Sequence, residues 1–362
     1  MNATMVAAGD VSAWVGLAFA CHNLNDNAGK LAALDKALAL DPRNLRALLL
    51  KADHHADAGD TRAAAVLYRS VVAAAPPISK LPPFMQGELR RAQSMSDRYN
   101  ERYEKYLRNS LAAHELAEGR SSNRFSQSLD ILFGKKKAYF QEPLAYFFPE
   151  LPQIQFYDCA QFPWLGGVEA ATDDIRGELQ EVMQDQTKFT PYVEGRSERF
   201  LKNDGGMFNN PEWSAFFLWK NGEMVTENAA RCPKTLAAFD GVPLTRIGGR
   251  APSILFSLLR PGARIPPHTG FLNARLICHL PLIVPPNCNF RVGNDVRSWS
   301  EGKAWVFDDS IEHEAANGSD QIRVILIFDV WRPELTEDER RLVAAMMEAI
   351  DAYGDRPPEW DN

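Results

Sequence analysis

The chain has 362 residues and a formal net charge of −7, with 45% hydrophobic and 24% charged residues. That length allows two domains and a sizeable core, in a composition ordinary for a soluble globular protein. The negative charge, with no basic block beyond the turn-like Lys135-Lys136-Lys137, argues against a nucleic-acid surface, and no apolar run approaches the ~20 residues of a membrane span.

Residues 11–20 are short, lack a basic flank and follow Asp10, so they are expected to form a buried helix and not a secretory leader. Residues 10–78 suggest two helical-repeat units. Pro42 and Pro76 stand 34 positions apart, the period of a tetratricopeptide repeat. Counting back from them places Trp14, Leu17, Ala18, Leu34 and Ala37, then Leu48, Ala52, Gly59, Ala64 and Tyr68, at repeat-defining positions. A plain helical bundle is the alternative. Two repeats bury little surface, so a long helix over 84–118 is expected to cap them. A linker-like stretch at 119–123 and a short helix near 125–133 follow, and then Pro143, Pro149 and Pro152 break regularity.

From about residue 154 the pattern changes. A helix is expected over 167–185, then strands at 253–259, 275–284, 289–292, 303–307 and 322–330, separated by Pro, Gly and Asn turns, and a closing helix at 337–353. The expected class is α+β: N-terminal α-helical repeats (1–118), a connecting stretch with short helices (119–153), and a double-stranded β-helix, jelly-roll or cupin-like domain (154–362). The five cysteines, Cys21, Cys159, Cys232, Cys278 and Cys288, are scattered and form no CxxC pair. They suit reduced thiols in the cytoplasm better than disulfides or a thiolate zinc site.

Chemistry concentrates in the β region. His268 and His313 each sit beside a turn at the edge of a strand-like run, and Arg323 follows the second by ten positions. Two imidazoles so placed suit a mononuclear transition-metal site, with a guanidinium nearby for an anionic co-substrate. In the run 275–282, period-two alternation puts Arg275, Ile277 and His279 on one face, opposite Leu276, Cys278 and Leu280. That face either lines a polar cavity or meets solvent. Arg323, Ile325 and Ile327 share a face in the same way, and a buried guanidinium there requires an anion. His22, His54, His55 and His114 lie in the helical half and take a structural reading. The residues alone leave an iron site and structural histidines both open.

The segments EWSAFFLW (212–219), CPKT (232–235), PHTGFLNARLICHLPL (267–282), RVGNDVRSWSEGKAWVFDDSIEHE (291–314) and RVILIFDVWRPELT (323–336) occur in that order. Together, residues 154–335 resemble the aspartyl/asparaginyl beta-hydroxylase family of Fe(II)/2-oxoglutarate dioxygenases, whose members also carry helical repeats before the catalytic domain. The resemblance implies that His268 and His313 bind iron, and that Gly270 stands where other such oxygenases place a carboxylate ligand. It implies that Arg323 holds the distal carboxylate of 2-oxoglutarate with Ser257, that His279 lies near the other carboxylate, and that Arg275 faces the substrate. Asp309 matches an aspartate beside the metal. Two departures stand out. Ile277 replaces an arginine of the animal enzymes, and Cys232 stands alone where they carry a pair.

The implied activity is hydroxylation of an unactivated C–H bond, at the beta carbon of an aspartyl or asparaginyl residue of a peptide or protein docked by the repeats, with Fe(II), 2-oxoglutarate and O2. Alternatives are a hydroxylase of another small molecule or acyl chain, a halogenase, and a non-catalytic repeat scaffold. Neither nucleic acid nor membrane is expected as a partner. Oligomeric state and substrate identity are not fixed by these residues.

Overall fold

A computed structural model describes residues 9–112, 114, 120–193, 206 and 208–353. It divides into two compact units, residues 1–136 and 137–362.

In the first unit, helices α1 (Val11–Asn23), α2 (Asn27–Leu40), α3 (Leu45–Asp57) and α4 (Thr61–Ala74) form two hairpins, followed by α5 (Pro83–Leu111) and α6 (Arg120–Leu132). Each of the first four is started by a side-chain cap: Asp10, Asp26, Asn44 and Asp60 accept from a backbone N–H of the first turn. Gly59 ends α3 with φ +74°, a conformation that favours glycine. The small residues at repeat positions are buried where helices cross: Ala18, Leu34 and Ala37 in one cluster, Leu48, Ala52, Ala64 and Tyr68 in the next. Packing runs serially from α1 to α5, as in repeat arrays. The helix beginning at Arg120 takes in residues expected as a linker; Ser121, Ser122 and Asn123 are tolerated in a first helical turn as readily as in a loop. Gly119 and most of residues 113–118 lie outside the described residues.

The second unit holds α7 (Thr172–Met183) and eleven strands: β1 (Thr190–Pro191), β2 (Trp213–Lys220), β3 (Glu223–Met224), β4 (Ile254–Leu259), β5 (Arg264–His268), β6 (Arg275–Ile283), β7 (Cys288–Val292), β8 (Asp295–Arg297), β9 (Trp305–Phe307), β10 (His313–Asn317) and β11 (Arg323–Trp331), closed by α8 (Glu337–Ala352). The helix expected over 167–185 breaks after Ala170, and Asp173 and Asp174 open the new first turn, where acidic residues suit the helix dipole. A capping box of Thr336 and Glu339 starts α8.

Seven strands form one sheet, β1-β2-β4-β11-β6-β9 with β3 on β2, and four form a second, β5-β10-β7-β8. Every pairing is antiparallel. The large sheet is covered on both faces, which explains its nearly unbroken apolar runs. Its even-numbered residues, such as Phe216, Phe256, Leu280 and Leu326, pack with Ile175, Leu179 and Val182 of α7. Its odd-numbered residues, such as Phe217, Leu255, Ile325 and Ile327, pack with Phe290, Val292 and Ala315 of the small sheet. That second interface is the interior of a jelly roll, and parity alone assigns residues to it. Residues 137–153 run along this unit: Glu142 N–H donates to Ser310 O (2.7 Å), and Leu144 N–H to Gly270 O (2.9 Å).

Candidate functional site

His268 ends β5 and His313 begins β10, and the register sets them directly opposite each other. Their ring centroids lie 4.1 Å apart. Each Nδ1 meets a backbone carbonyl two residues earlier, Pro266 O at 2.8 Å and Ile311 O at 3.1 Å. A carbonyl only accepts, so each Nδ1 carries the proton and each Nε2 keeps a lone pair for a ligand. Burial lowers the pKa of both rings, and His268 lowers that of His313 further. Both are therefore neutral at neutral pH, the form that binds metals.

The loop after His268, which carries Gly270, and the loop before His313, which carries Asp309, complete this end of the barrel. A Cβ built on Gly270 would lie 2.0 Å from Asp309 Oδ2, so the Asp309 carboxyl occupies the room a side chain there would need. Gly270 N–H also donates to Asp309 O (2.7 Å). Burial pushes the Asp309 pKa up to about 7, against the lowering effect of Arg275. The turn bearing Asp309 is fixed by its neighbour. Asp308 is fully buried and accepts from Ser310 N and Oγ, Gln141 Nε2 (2.7 Å) and Arg332 Nη1 (2.9 Å). Arg332 in turn donates to Asn273 O and Pro152 O and contacts Tyr157 Oη. Among the described residues no group of three or more His, Cys, Asp or Glu side chains forms a metal cage.

Arg323 begins β11 and is fully buried, yet Nε, Nη1 and Nη2 all lack a hydrogen-bond partner. Its guanidinium lies 5.1 Å over the Trp299 ring. Burial lowers its pKa to about 10, which leaves it charged at neutral pH. Ser257 on β4 pairs with Ile325 of β11, so it faces the same interior, and its Oγ accepts from Trp213 Nε1 at 3.1 Å. This uses one lone pair of the Ser257 hydroxyl and leaves its hydrogen to donate. Trp213 stacks on Tyr192 at 4.2 Å and lies 6.2 Å from the His268 ring. His279 on β6 is buried with Nδ1 unpartnered, and burial, aided by Arg323, holds its pKa well below the usual value. Three unsatisfied nitrogens of one guanidinium, a hydroxyl and a neutral imidazole thus face one interior, and such a set is chemically able to receive a carboxylate.

Arg275, at the start of β6, contrasts with this. Its guanidinium lies 3.5 Å from Asp309 Oδ2 and 3.6 Å from Asp329 Oδ2. The β6–β9 register, Ile277 opposite Phe307, brings Asp309 to Arg275 when continued by two residues. Asp329 on β11 is buried and accepts from Ser253 N at 2.7 Å.

All seven residues singled out in the sequence thus belong to the interior side of the barrel or to its loops. Reading the sequence missed four neighbours: Trp213, Trp299, Tyr192 and Asp329. Parity was available for two of them, since Trp213 shares a face with Ala215 and Phe217, and Asp329 with Arg323, Ile325 and Ile327. Trp299 lies outside any strand and carried no such signal.

Fold and site together define a jelly-roll domain with a pair of neutral histidines and an anion cradle in its interior. Residues 169–333, within the β domain, match the family model described as aspartyl/asparaginyl beta-hydroxylase. The human aspartyl/asparaginyl beta-hydroxylase is 41% identical over 149 residues, covering 41% of this chain and 19% of the human protein. The ornithine lipid ester-linked acyl 2-hydroxylase of Rhizobium tropici is 37% identical over 182 residues, covering 49% of this chain and 60% of the relative. The human aspartate beta-hydroxylase domain-containing protein 2 is 30% identical over 207 residues, 56% of this chain and 53% of that protein. The chain therefore spans between a fifth and three fifths of the length of these curated relatives.

Proposed function

We propose that this chain is an Fe(II)- and 2-oxoglutarate-dependent hydroxylase of a peptide or protein. The observation that carries the reading is the fully buried Arg323, whose guanidinium has no hydrogen-bond partner among the described residues. An isolated buried guanidinium is costly, and a bound carboxylate removes that cost. The fit extends to the metal: the two imidazoles stand on facing strands, and each is held by an Nδ1 hydrogen bond that leaves Nε2 available as a ligand.

On this reading His268 and His313 hold the iron, Arg323 and Ser257 hold the distal carboxylate of 2-oxoglutarate, and His279 lies toward its other end. Iron and 2-oxoglutarate, when bound, supply the oxidising power drawn from O2 that hydroxylates an unactivated C–H bond and leaves succinate and CO2. The chain's own work is placement and shielding. Phe290, Phe307 and Trp299 surround His279 and exclude water from its side of the interior. Asp309 holds or releases a proton beside Gly270 near neutral pH. Arg275 faces the substrate, and the helical unit offers a docking surface for a longer polypeptide.

The test is conversion of 2-oxoglutarate to succinate by the full chain with Fe(II) in air. Succinate release that requires Fe(II) and is lost in Arg323→Met supports the reading. No Fe(II)-dependent release from a folded, iron-binding chain would overturn it.

A further inference from the structure

Resting on the hydroxylase reading, the charge balance around Arg275 bears on which side chain the site receives. Arg275 is 8% exposed, Asp309 5% and Asp329 1%, so solvent screens none of the three well. One guanidinium faces two carboxylates, and its neighbour on the same strand face is the apolar Ile277. With both carboxylates ionised the trio carries a net negative charge; with one proton shared it is neutral. Neither state leaves positive charge to spare.

The hydrogen-bonding capacity of the trio is also unspent. The contacts of 3.5 and 3.6 Å are longer than good hydrogen bonds. Arg275 Nε, Asp309 Oδ1 and Asp329 Oδ2 are buried without a hydrogen bond of normal length, Asp329 Oδ2 having only the long contact to Arg275. One donor and two acceptors therefore wait for a ligand, and each costs free energy while unpaired.

An incoming carboxylate could accept from Arg275 but would add a third anion beside a single cation and satisfy neither acceptor. A carboxamide matches both signs: its carbonyl accepts from Arg275 and its NH2 donates to Asp329 or Asp309. We infer that the side chain received beside Arg275 is a carboxamide, so that the chain selects an asparaginyl over an aspartyl residue in its peptide substrate. Asp329 is then a specificity-determining residue, because it supplies the acceptor that the amide nitrogen needs and that a carboxylate cannot use. Arg323 stands in the opposite condition, with no carboxylate beside it, and is the anion's place.

The test compares two peptides identical except for Asn or Asp at one position. Each is titrated calorimetrically into the full chain with Fe(II) and 2-oxoglutarate under anaerobic conditions, so that binding is read without turnover. The Asn peptide is expected to bind about tenfold tighter or more, since a site built around hydrogen-bonding groups discriminates strongly against a mismatched one. In Asp329→Asn, which keeps an acceptor for Ser253 N–H but removes a negative charge, the preference should shrink or invert. Equal or tighter binding of the Asp peptide by the wild-type chain overturns the inference, as does an unchanged ratio in a folded Asp329→Asn. The wild-type ratio decides even where the variant does not fold. Binding of neither peptide, with succinate release intact, overturns the carboxamide assignment alone; loss of Fe(II)-dependent succinate release in the wild type overturns the hydroxylase reading beneath it.

Discussion

The two sides of the barrel interior each hold a buried arginine, and the two arginines are in opposite electrostatic states. Among the described residues Arg323 has no ion-pair partner and three nitrogens without a hydrogen bond, whereas Arg275 is flanked by Asp309 and Asp329. Burial penalises both charges, but only Arg275 is repaid from within the chain; its pKa is raised, while that of Arg323 falls to about 10. A guanidinium left uncompensated in a packed interior is suited to pair with an anion. A compensated one orients a ligand without attracting charge. Strand alternation alone does not distinguish the two arginines; the family resemblance assigns them different roles, and their surroundings differ in the same sense.

The comparison is broken most severely by removing what both sides share. His313→Ala deletes one of two neutral imidazoles 4.1 Å apart. Fe(II) affinity, measured by equilibrium dialysis, is expected to fall by about tenfold or more, each tenfold being roughly 1.4 kcal/mol, and succinate release to reach background. Iron affinity equal to wild type would remove His313 from the metal.

A smaller effect is expected where the two sides meet. In Gly270→Ala the new Cβ would lie 2.0 Å from the Asp309 carboxylate, which must then move away from its place beside Arg275. Misplacement on this scale should reduce hydroxylated product by on the order of 10- to 100-fold, with succinate release falling less. A product-to-succinate ratio equal to wild type would show that Asp309 has no part on the substrate side.

The pH dependence of metal-free protein sharpens the same point. The Asp309 pKa is raised from 3.8 to about 7 by burial. Its contribution to stability is therefore fully present below about pH 4 and lost as pH rises through 7. Asp309→Asn does not titrate, so its Tm relative to wild type should rise steadily between pH 4 and pH 8. The histidines, with depressed values, act oppositely but cancel in the difference. A flat Tm difference across that window would mean that Asp309 ionises freely.

The smallest effect is expected in the helical unit, which serves as the control. Tyr68 Oη donates to Asp53 Oδ1 (2.5 Å), which also receives Arg91. Tyr68→Phe should cost about 1 kcal/mol in that unit, seen as a lowered melting transition, and leave the conversion of 2-oxoglutarate to succinate unchanged. A comparable loss of turnover would tie this hydrogen bond to the site.

Much of this was legible because period-two alternation sorts a strand's residues without knowledge of the fold. Alternation groups Arg275 with His279 on one strand face and leaves open whether that face is interior; the structure buries both, with Arg323. The 34-residue spacing of Pro42 and Pro76 likewise anticipated two stacked hairpins. Three things resisted. The strand β5 contains Pro266 and Pro267, which read as a break; neither is needed as a ladder donor on the edge of the small sheet. The stretch 120–123 reads as linker in the sequence, because serine and asparagine are common to both states, yet it opens a helix. The partnership of Arg275 with Asp309 and Asp329 joins three segments far apart in sequence, and no local pattern encodes it.

The central claim, that Arg323 and not Arg275 is the carboxylate's place, is tested most directly by anaerobic titration calorimetry of 2-oxoglutarate into the Fe(II)-loaded chain. Wild type, Arg323→Met and Arg275→Met are compared under the same conditions. A charge-assisted pairing contributes roughly 1.5–3 kcal/mol, so Arg323→Met should weaken 2-oxoglutarate binding by about tenfold or more, while Arg275→Met should leave it within about threefold. Unchanged affinity in Arg323→Met, or the larger loss in Arg275→Met, would contradict the account.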